Sequence, residues 1–593
     1  MIGFTRKNAV FRAGLAVFSA LMLASCNTPL LKPSGAGKTP PAGPATVIPE
    51  LKPQAAVDRD TSSPPEKMTS QLLYDVLLGE IAGQRGALDI SGASYLEAAR
   101  SSDDPRVAER ALNVAIFGKR PDLALPAARR WVELAPGKLE ARQALAALAL
   151  RTGKVQEAVE QFDYLLKHHP AGAASPYQTL LVMLAREPDK SRALEVMGKL
   201  AASRPDDIEV QFAYARLAVH AGNWALATQK VKQVLAAQPG RVDALILRAQ
   251  IALKQGQGKV ARQQLTEALQ RNPGNTVLRQ AYARLLVDLE DYDAARAQYH
   301  QLLKHQPNDT QAIYSLALLS LEAGHLNEAK KLFKKLLKLG VQAQQAYYYL
   351  GAIAEDQGKR KTAIDWYSKV LKGDHLFEAQ VRIANMEALE GDVAGARERL
   401  HKLRLAHPEQ SQRLYLVEGG ILTRIDWLDE AFKLYSDYLK IRPDDLEVLY
   451  ARALVAERLG RLDQTEADFR RILKIEPDNT RTLNALGYTL ADRTERYTEA
   501  LKLIERAYAQ TPDDAAVIDS MGWVMYRLGR LPEARDYLQK AYDKTQDVEI
   551  AAHLGEVLWA MGEHDAAQAL WKKARAKNPG DRLLEDTIRR FAP

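Results

Sequence analysis

The sequence has very little cysteine and few aromatic residues. One cysteine among 593 residues excludes an internal disulfide and a site built from several thiolates. Aromatic residues make up only 7%, and β-branched residues are few beside alanine and leucine, which favours helices over strands. The net charge of +8 is small for this length and gives little support for a nucleic-acid partner. Length alone predicts about three to six domains, unless an array of small repeats fills the chain.

Residues 1–25 have the composition of a secretory signal peptide. Arg6, Lys7 and Arg12 lie in a segment without acidic residues, and an apolar stretch from Gly14 to Ser25 follows. This stretch is too short to span a bilayer, which takes about 20 residues. Removal of the signal peptide with its three basic residues lowers the net charge of the chain from +8 to +5.

The single cysteine, Cys26, lies directly after the apolar stretch. The sequence Leu23-Ala24-Ser25-Cys26 resembles the bacterial lipobox. This resemblance implies that Cys26 becomes the first mature residue and carries lipid. The next residue is Asn27 rather than aspartate, which in Gram-negative sorting implies the periplasmic face of the outer membrane.

The segment that follows, residues 27–68, is rich in proline and lacks apolar periodicity. It holds nine of the 27 prolines within 42 residues. Such a segment buries too little apolar surface to offset the entropy of ordering it. We therefore expect residues 26–68 to form a lipidated, extended tether.

The rest of the chain repeats with a period of about 34 residues. Prolines recur, and nearly all the steps between them are 34 or 35 residues or near multiples of these: Pro105, Pro136, Pro170, Pro205, Pro239, Pro273, Pro307, Pro408, Pro443, Pro477, Pro512 and Pro579. A small residue lies twelve positions before each of these prolines, and also before Val341, His375 and Gln546, where the proline is missing. The small residues are Ala93, Ala124, Ala158, Ala193, Ala227, Ala261, Ala295, Ala329, Ala363, Ala396, Ala431, Thr465, Ala500, Ala534 and Ala567. A fixed period of this length indicates an array of repeats.

Each repeat reads as two amphipathic helices. Around Gly153, apolar residues recur at helical spacing on both sides, and the glycine supplies the positive φ that ends the first helix. The proline ends the second helix. We expect about fifteen such pairs over residues 69–579 and a capping helix over residues 580–593.

The period and pattern resemble the tetratricopeptide repeat. The clearest copy carries the family residues Leu483, Leu486, Gly487, Tyr497, Ala500, Ala507 and Pro512. The resemblance implies an all-α fold, a right-handed solenoid whose first helices line the concave face.

No motif in the sequence indicates catalysis. The chain lacks the HExxH and GxSxG motifs, and its 11 histidines are scattered along the array. We expect no enzymatic activity, no metal site and no cofactor.

Alignment of the repeats predicts a stripe on the first helices. Its residues are Phe212, Ile246, Gln280, Tyr314, Tyr348, Val381, Leu416 and Tyr450, followed by the polar Asn484 and Asp519, with Tyr488 and Trp523 one turn further along. An apolar and aromatic stripe in a groove is suited to bind a peptide. The same side chains could instead pack against neighbouring first helices, and the sequence does not decide between the two.

The last repeats resemble one group of proteobacterial tetratricopeptide lipoproteins. The segments that carry this resemblance are IDSMGWVMYRLGR and EIAAHLGEVLWAMG. It implies a non-enzymatic scaffold that binds a periplasmic carboxyl-terminal processing protease and its cell-wall hydrolase substrates. The alternative is a structural scaffold of an exopolysaccharide-export or envelope-assembly complex.

Overall fold

The computed structural model describes residues 68–168 and 175–591, and these residues form 31 α-helices and no strand. The signal peptide, Cys26 and almost the whole tether lie outside the described residues, so their assignments stay predictions. The described helices form fifteen consecutive pairs followed by one further helix. The all-α solenoid class predicted from the period is thereby confirmed.

We number the helices α1 to α31 in chain order, and odd numbers up to α29 mark the first helix of a pair. The bounds of α1 to α16 are Ser70–Gln84, Leu88–Ser101, Pro105–Phe117, Pro121–Leu134, Leu139–Arg151, Val155–Lys167, Pro176–Ala185, Lys190–Ala202, Ile208–His220, Trp224–Ala237, Val242–Lys254, Gly258–Arg271, Thr276–Asp288, Tyr292–His305, Thr310–Glu322 and Leu326–Lys338. Those of α17 to α31 are Ala343–Asp356, Arg360–Tyr367, Leu376–Leu389, Val393–Ala406, Ser411–Arg424, Leu428–Ile441, Leu446–Arg458, Leu462–Ile475, Thr480–Arg493, Tyr497–Gln510, Ala515–Arg527, Leu531–Thr545, Val548–Ala560, His564–Lys577 and Arg582–Phe591.

The chain divides into two compact units. Unit 1 ends at Leu332 and unit 2 begins at Phe333, so the boundary falls inside α16. Unit 1 has a core in its first repeats, around Leu112 and Leu217, and further clusters in its later repeats. Unit 2 has a large core that includes Leu486 and Trp571.

The repeating proline marks the start of the next first helix. In six repeats the residue two positions after the proline is an aspartate or asparagine whose side chain accepts hydrogen bonds from backbone N–H groups of the first turn: Asp207, Asn275, Asp309, Asp445, Asn479 and Asp514. An N-cap of this kind satisfies donors that the helix itself leaves unpaired. Each of these six repeats therefore carries its own start signal.

A glycine usually ends the first helix of a pair. Gly153 has a φ of 77°, as the sequence predicts, and the equivalent Gly222 has a φ of 73°. Glu290 and Asp426 hold the same position in their repeats with φ of 60° and 64°. The left-handed turn is thus required by the fold even where the residue is not glycine.

The small residues of the repeat lie where the two helices of a pair approach each other. From Ala124 to Ala567 each of them is almost completely buried. The assignment of Ala93 to this position is wrong, because Ala93 is exposed and Ser91 is buried in its place. The reason is Pro105, which is the first residue of α3 instead of preceding the helix by three residues. Since α3 also begins 14 residues after Ser91, whereas α9 begins 15 residues after Ala193, counting back twelve from Pro105 misses by two.

The final helix covers the last repeat. Leu584 on α31 is completely buried, and α31 packs against α29. The Phe591 ring lies 6.3 Å from the ring of Trp571 on α30. Within the described ranges, none of the helices combines the length and apolar character that a membrane span requires.

Candidate protein-binding surface

The predicted stripe residues occupy two sets of corresponding positions on the first helices, one turn apart. Phe212, Ile246, Tyr314 and Tyr450 are each the fifth residue of their helix, while Tyr348, Val381 and Leu416 are the sixth. Tyr488 and Trp523 come one turn later, as the ninth residue. Residues of equal rank in successive first helices occupy equivalent places, so the repeat itself sets the spacing of these side chains.

In unit 1 the stripe contains one buried and three half-buried side chains, and one of the half-buried residues is the polar Gln280. Phe212 is 7% exposed and belongs to the core, with the Arg241 guanidinium carbon 4.4 Å from its ring centroid. Ile246 and Tyr314 are half-buried. Ile246 and Tyr314 thus keep surface that a ligand can contact.

In unit 2 the stripe begins with a residue that is packed away. Tyr348 is 2% exposed, and its ring stacks on His375 at 4.3 Å with an interplanar angle of 8°. Tyr349 lies edge-on at 5.4 Å. Burial raises the pKa of Tyr348 and lowers that of His375, which keeps both rings uncharged at neutral pH. For Tyr348 the geometry favours packing, and Val381 is equally buried.

Further along unit 2 the stripe is more accessible. Leu416 and Tyr450 are half-buried and pack on the core from outside it. The Arg481 guanidinium carbon lies 3.5 Å from the Tyr450 ring centroid, and Arg481 also donates to Glu447 at 3.2 Å. Because Arg481 already holds one face of the Tyr450 ring, the side chain loses little further rotamer freedom when a ligand contacts its remaining surface.

The last stripe positions join a polar network. Trp523 is 5% exposed and stacks on His553 at 4.2 Å. His553 Nδ1 lies 3.0 Å from a carboxylate oxygen of Asp519. The hydroxyl of the half-buried Tyr488 lies 3.4 Å from His553 Nε2 and 3.4 Å from Glu549 Oε1. Three consecutive first helices, α25, α27 and α29, therefore share one set of hydrogen bonds.

The charges of this network shift several pKa values. Burial acts to lower the pKa of His553, but the charge and hydrogen bond of Asp519, together with the charges of Glu549 and Glu556, outweigh it and the pKa is raised. Desolvation raises the pKa of Glu549. Desolvation, followed by the nearby carboxylates, raises the pKa of Tyr488. The network therefore holds protons more tightly than its separate groups would.

Comparison with known proteins matches this architecture to one repeat family. Models of the tetratricopeptide repeat match residues 212–276, 252–319, 314–375 and 450–515. A relative from Pseudomonas aeruginosa, TPR repeat-containing protein PA4667, is 39% identical over 503 residues, which cover 84% of each chain. The chain belongs to the tetratricopeptide-repeat family.

Other similarities cover less of the chain or are more distant. Bacteriophage adsorption protein A of Escherichia coli is 31% identical over 93 residues, which are 16% of this chain and 9% of that protein. Among solved structures, yeast Tom70 is 14% identical with a TM-score of 0.34, covering 87% of this chain and 99% of Tom70.

Tetratricopeptide repeats indicate a protein-interaction scaffold, and members of the family generally are not catalysts. The half-buried stripe residues are the surface that such a scaffold can offer here. No group of three or more histidine, cysteine or acidic side chains in the described part of the chain is arranged to hold a metal ion.

The tetratricopeptide pattern did not reveal the pairing of Asp519 with His553. Asp519 reads as the polar end of the stripe, and His553 as one of many scattered histidines. The available signal is their separation of 34 residues, one repeat length, with both on first helices. An acid and a histidine at that spacing lie on neighbouring repeats, where their side chains can meet.

Proposed function

We propose that the protein is a lipid-anchored scaffold on the periplasmic face of the outer membrane. It binds a carboxyl-terminal processing protease and brings it to cell-wall hydrolase substrates. Four features support this: the repeat family, the stripe, the lipobox around Cys26, and the last two repeats, which resemble lipoproteins with that role.

The observation that carries the scaffold function is the accessibility of the stripe. Ile246 and Tyr314 in unit 1, and Leu416 and Tyr450 in unit 2, are half-buried rather than enclosed. Each unit can then bind a separate protein segment. Holding two proteins on one chain raises their effective concentration to the millimolar range for short flexible links, so weak individual contacts suffice.

The first experiment captures the partner and tests the surface together. The lipidated protein is used as bait in envelope extracts, and recovered proteins are identified by mass spectrometry. Tyr450→Ala removes an anchor and should reduce recovery about 30-fold, which corresponds to about 2 kcal/mol. The matched control is Tyr508→Ala, which removes a half-buried tyrosine from a second helix.

The outcomes separate the two functions. Recovery of a processing protease or hydrolase that depends on Tyr450 supports the proposal. Recovery of polysaccharide-export proteins in place of both contradicts it and favours the alternative assembly. Equal loss in Tyr450→Ala and Tyr508→Ala contradicts the stripe as the binding surface.

The second experiment tests the anchor. Cys26→Ala removes the only thiol that lipid can modify. The variant should leave the outer-membrane fraction and lose incorporation of labelled palmitate. If the variant still fractionates with the outer membrane, the proposed lipid anchor is wrong.

A further inference from the structure

His553 connects three repeats through its two ring nitrogens. Nδ1 lies 3.0 Å from Asp519 on α27, and Nε2 lies 3.4 Å from the Tyr488 hydroxyl on α25, while the histidine itself is on α29. His553 is 5% exposed and Asp519 is 6% exposed. A buried side chain that bonds to both preceding repeats can lock the three first helices together.

The number of N–H donors that His553 supplies to these hydrogen bonds depends on the protonation of its imidazole. A protonated imidazole donates from both nitrogens, to Asp519 and to the Tyr488 oxygen, which leaves the Tyr488 hydrogen for Glu549. A neutral imidazole has one N–H. If Nδ1 keeps the hydrogen and donates it to Asp519, Nε2 becomes an acceptor. The Tyr488 hydroxyl then donates to Nε2 instead of Glu549, so Glu549 loses its donor.

Charged groups around the histidine come from several helices. Asp519 on α27, and Glu549 and Glu556 on α29 itself, all favour its charged form. On α31, Arg590 pairs with Glu556, which also accepts from Tyr526 of α27 at 3.2 Å.

The remaining neighbouring helices contribute fewer such groups. The negative charge of Asp492 on α25 helps to raise the pKa of Tyr488. The buried Tyr542 of α28 lies under Lys573 of α30, at 5.8 Å from the ring centroid. On α27, Arg527 acts on Glu556, and the carboxylates Asp492, Asp519, Glu549 and Glu556 outnumber it on the α25, α27 and α29 side of the imidazole.

We propose that His553 is a proton-operated clamp, closed when the imidazole is charged, that holds the last three repeats in one arrangement. When the proton leaves, the bond that joins α29 to α25 changes direction and the Tyr488–Glu549 contact is lost. The surface that changes includes Tyr488, which belongs to the stripe. This inference concerns the repeats themselves and holds whichever partner binds.

The direction of the pH effect follows from the folded-state pKa values. The pKa of His553 is raised above its ordinary value of 6.5, so its contribution to stability is complete below that value and is lost as pH rises through the folded pKa. The pKa values of Glu549 and Glu556 are also raised by desolvation. Their ionisation weakens the same region as pH rises, so all three groups act in one direction.

The test is hydrogen–deuterium exchange on the full chain between pH 5 and pH 9, with rates corrected for intrinsic exchange. Protection in α25, α27 and α29 should fall about tenfold or more as pH rises, as expected for loss of a charge-assisted hydrogen bond. Protection in α19 to α22 serves as the internal reference. The surface variant His564→Gln, which alters an exposed histidine, should leave the profile unchanged.

Two variants distinguish a clamp from simple packing. Asp519→Asn keeps the size of the side chain but removes the charge, so the midpoint of the loss should move to lower pH. His553→Gln should give low protection at every pH. Wild-type protection that does not depend on pH, or an unchanged midpoint in Asp519→Asn, overturns the proposal. If His553→Gln does not fold, the midpoint of Asp519→Asn decides alone.

Discussion

At the scale of single residues, two hydroxyl side chains replace alanine at the close approach between paired helices. Ser91 donates to the carbonyl of Gly79 at 2.6 Å, and Thr465 donates to the carbonyl of Ala453 at 3.3 Å. In both cases the acceptor lies twelve residues earlier, on the first helix of the pair. A hydroxyl is tolerated in this buried position because a carbonyl is within reach.

The buried stripe residue Tyr348 gives a prediction at this scale. Tyr348→Ala removes a ring enclosed by His375 and Tyr349, so the free energy of unfolding of unit 2 should fall by about 3–5 kcal/mol. Urea denaturation measures this loss. The half-buried Tyr450 serves as the comparison, and Tyr450→Ala should cost clearly less. Equal losses in the free energy of unfolding would mean that the different burial of Tyr348 and Tyr450 does not affect stability.

The sequence predicted the position of the stripe but not its burial. Equal rank in each repeat is visible as a 34-residue spacing, so Phe212, Tyr314 and Tyr450 are found directly. Whether a side chain is enclosed depends on residues outside the pattern. Tyr348 is enclosed by His375, which stands where the repeating proline is missing, and no periodic signal points to it.

At the scale of helices and turns, most of the fold could be predicted because the same local signals recur. The proline two residues before the N-cap and the glycine after the first helix appear in repeat after repeat. The first repeat departs from this pattern, because Asp104 caps α3 and Pro105 is its first residue. Counting from a proline therefore fails only where the proline has another structural role.

The turn at Glu290 gives a prediction at this scale. Its φ of 60° is unfavourable for a residue with a Cβ atom, while glycine adopts it freely. Glu290→Gly should therefore stabilise unit 1 by about 0.5–1 kcal/mol, measured by thermal or urea denaturation. The control is Lys232→Gly, in the exposed face of α10, which should destabilise by about 1 kcal/mol. Destabilisation by both variants would show that the Glu290 turn is not strained.

At the scale of the whole molecule, the described residues build separate cores rather than one. The core around Leu217 lies in unit 1, and the core around Leu486 lies in unit 2. In repeat arrays each repeat is stabilised by itself and by its neighbours. A single free energy of unfolding is therefore a poor description of this chain.

Substitutions in the two cores test this view. Leu217→Ala and Leu486→Ala each remove a completely buried side chain and should cost about 2–5 kcal/mol. Hydrogen exchange should show lost protection only in the unit that carries the substitution. In the double variant the two losses should add within about 0.5 kcal/mol. Loss of protection throughout the chain from one substitution would show a single cooperative unit.

The start signal that six of the repeats carry also bears on how the chain can change length. Residues 444–477 run from just after one repeating proline to the next, and each proline precedes a capping residue, Asp445 or Asn479, by two positions. Excision of this block would join Pro443 to Asp478 and leave a complete cap. Duplication of the block would likewise create a new repeat with its own beginning. Gene segments of this length can thus be lost or gained without new folding signals. Because the excised block contains Tyr450, each such event also removes or adds one stripe residue, so the length of the binding surface changes with repeat number.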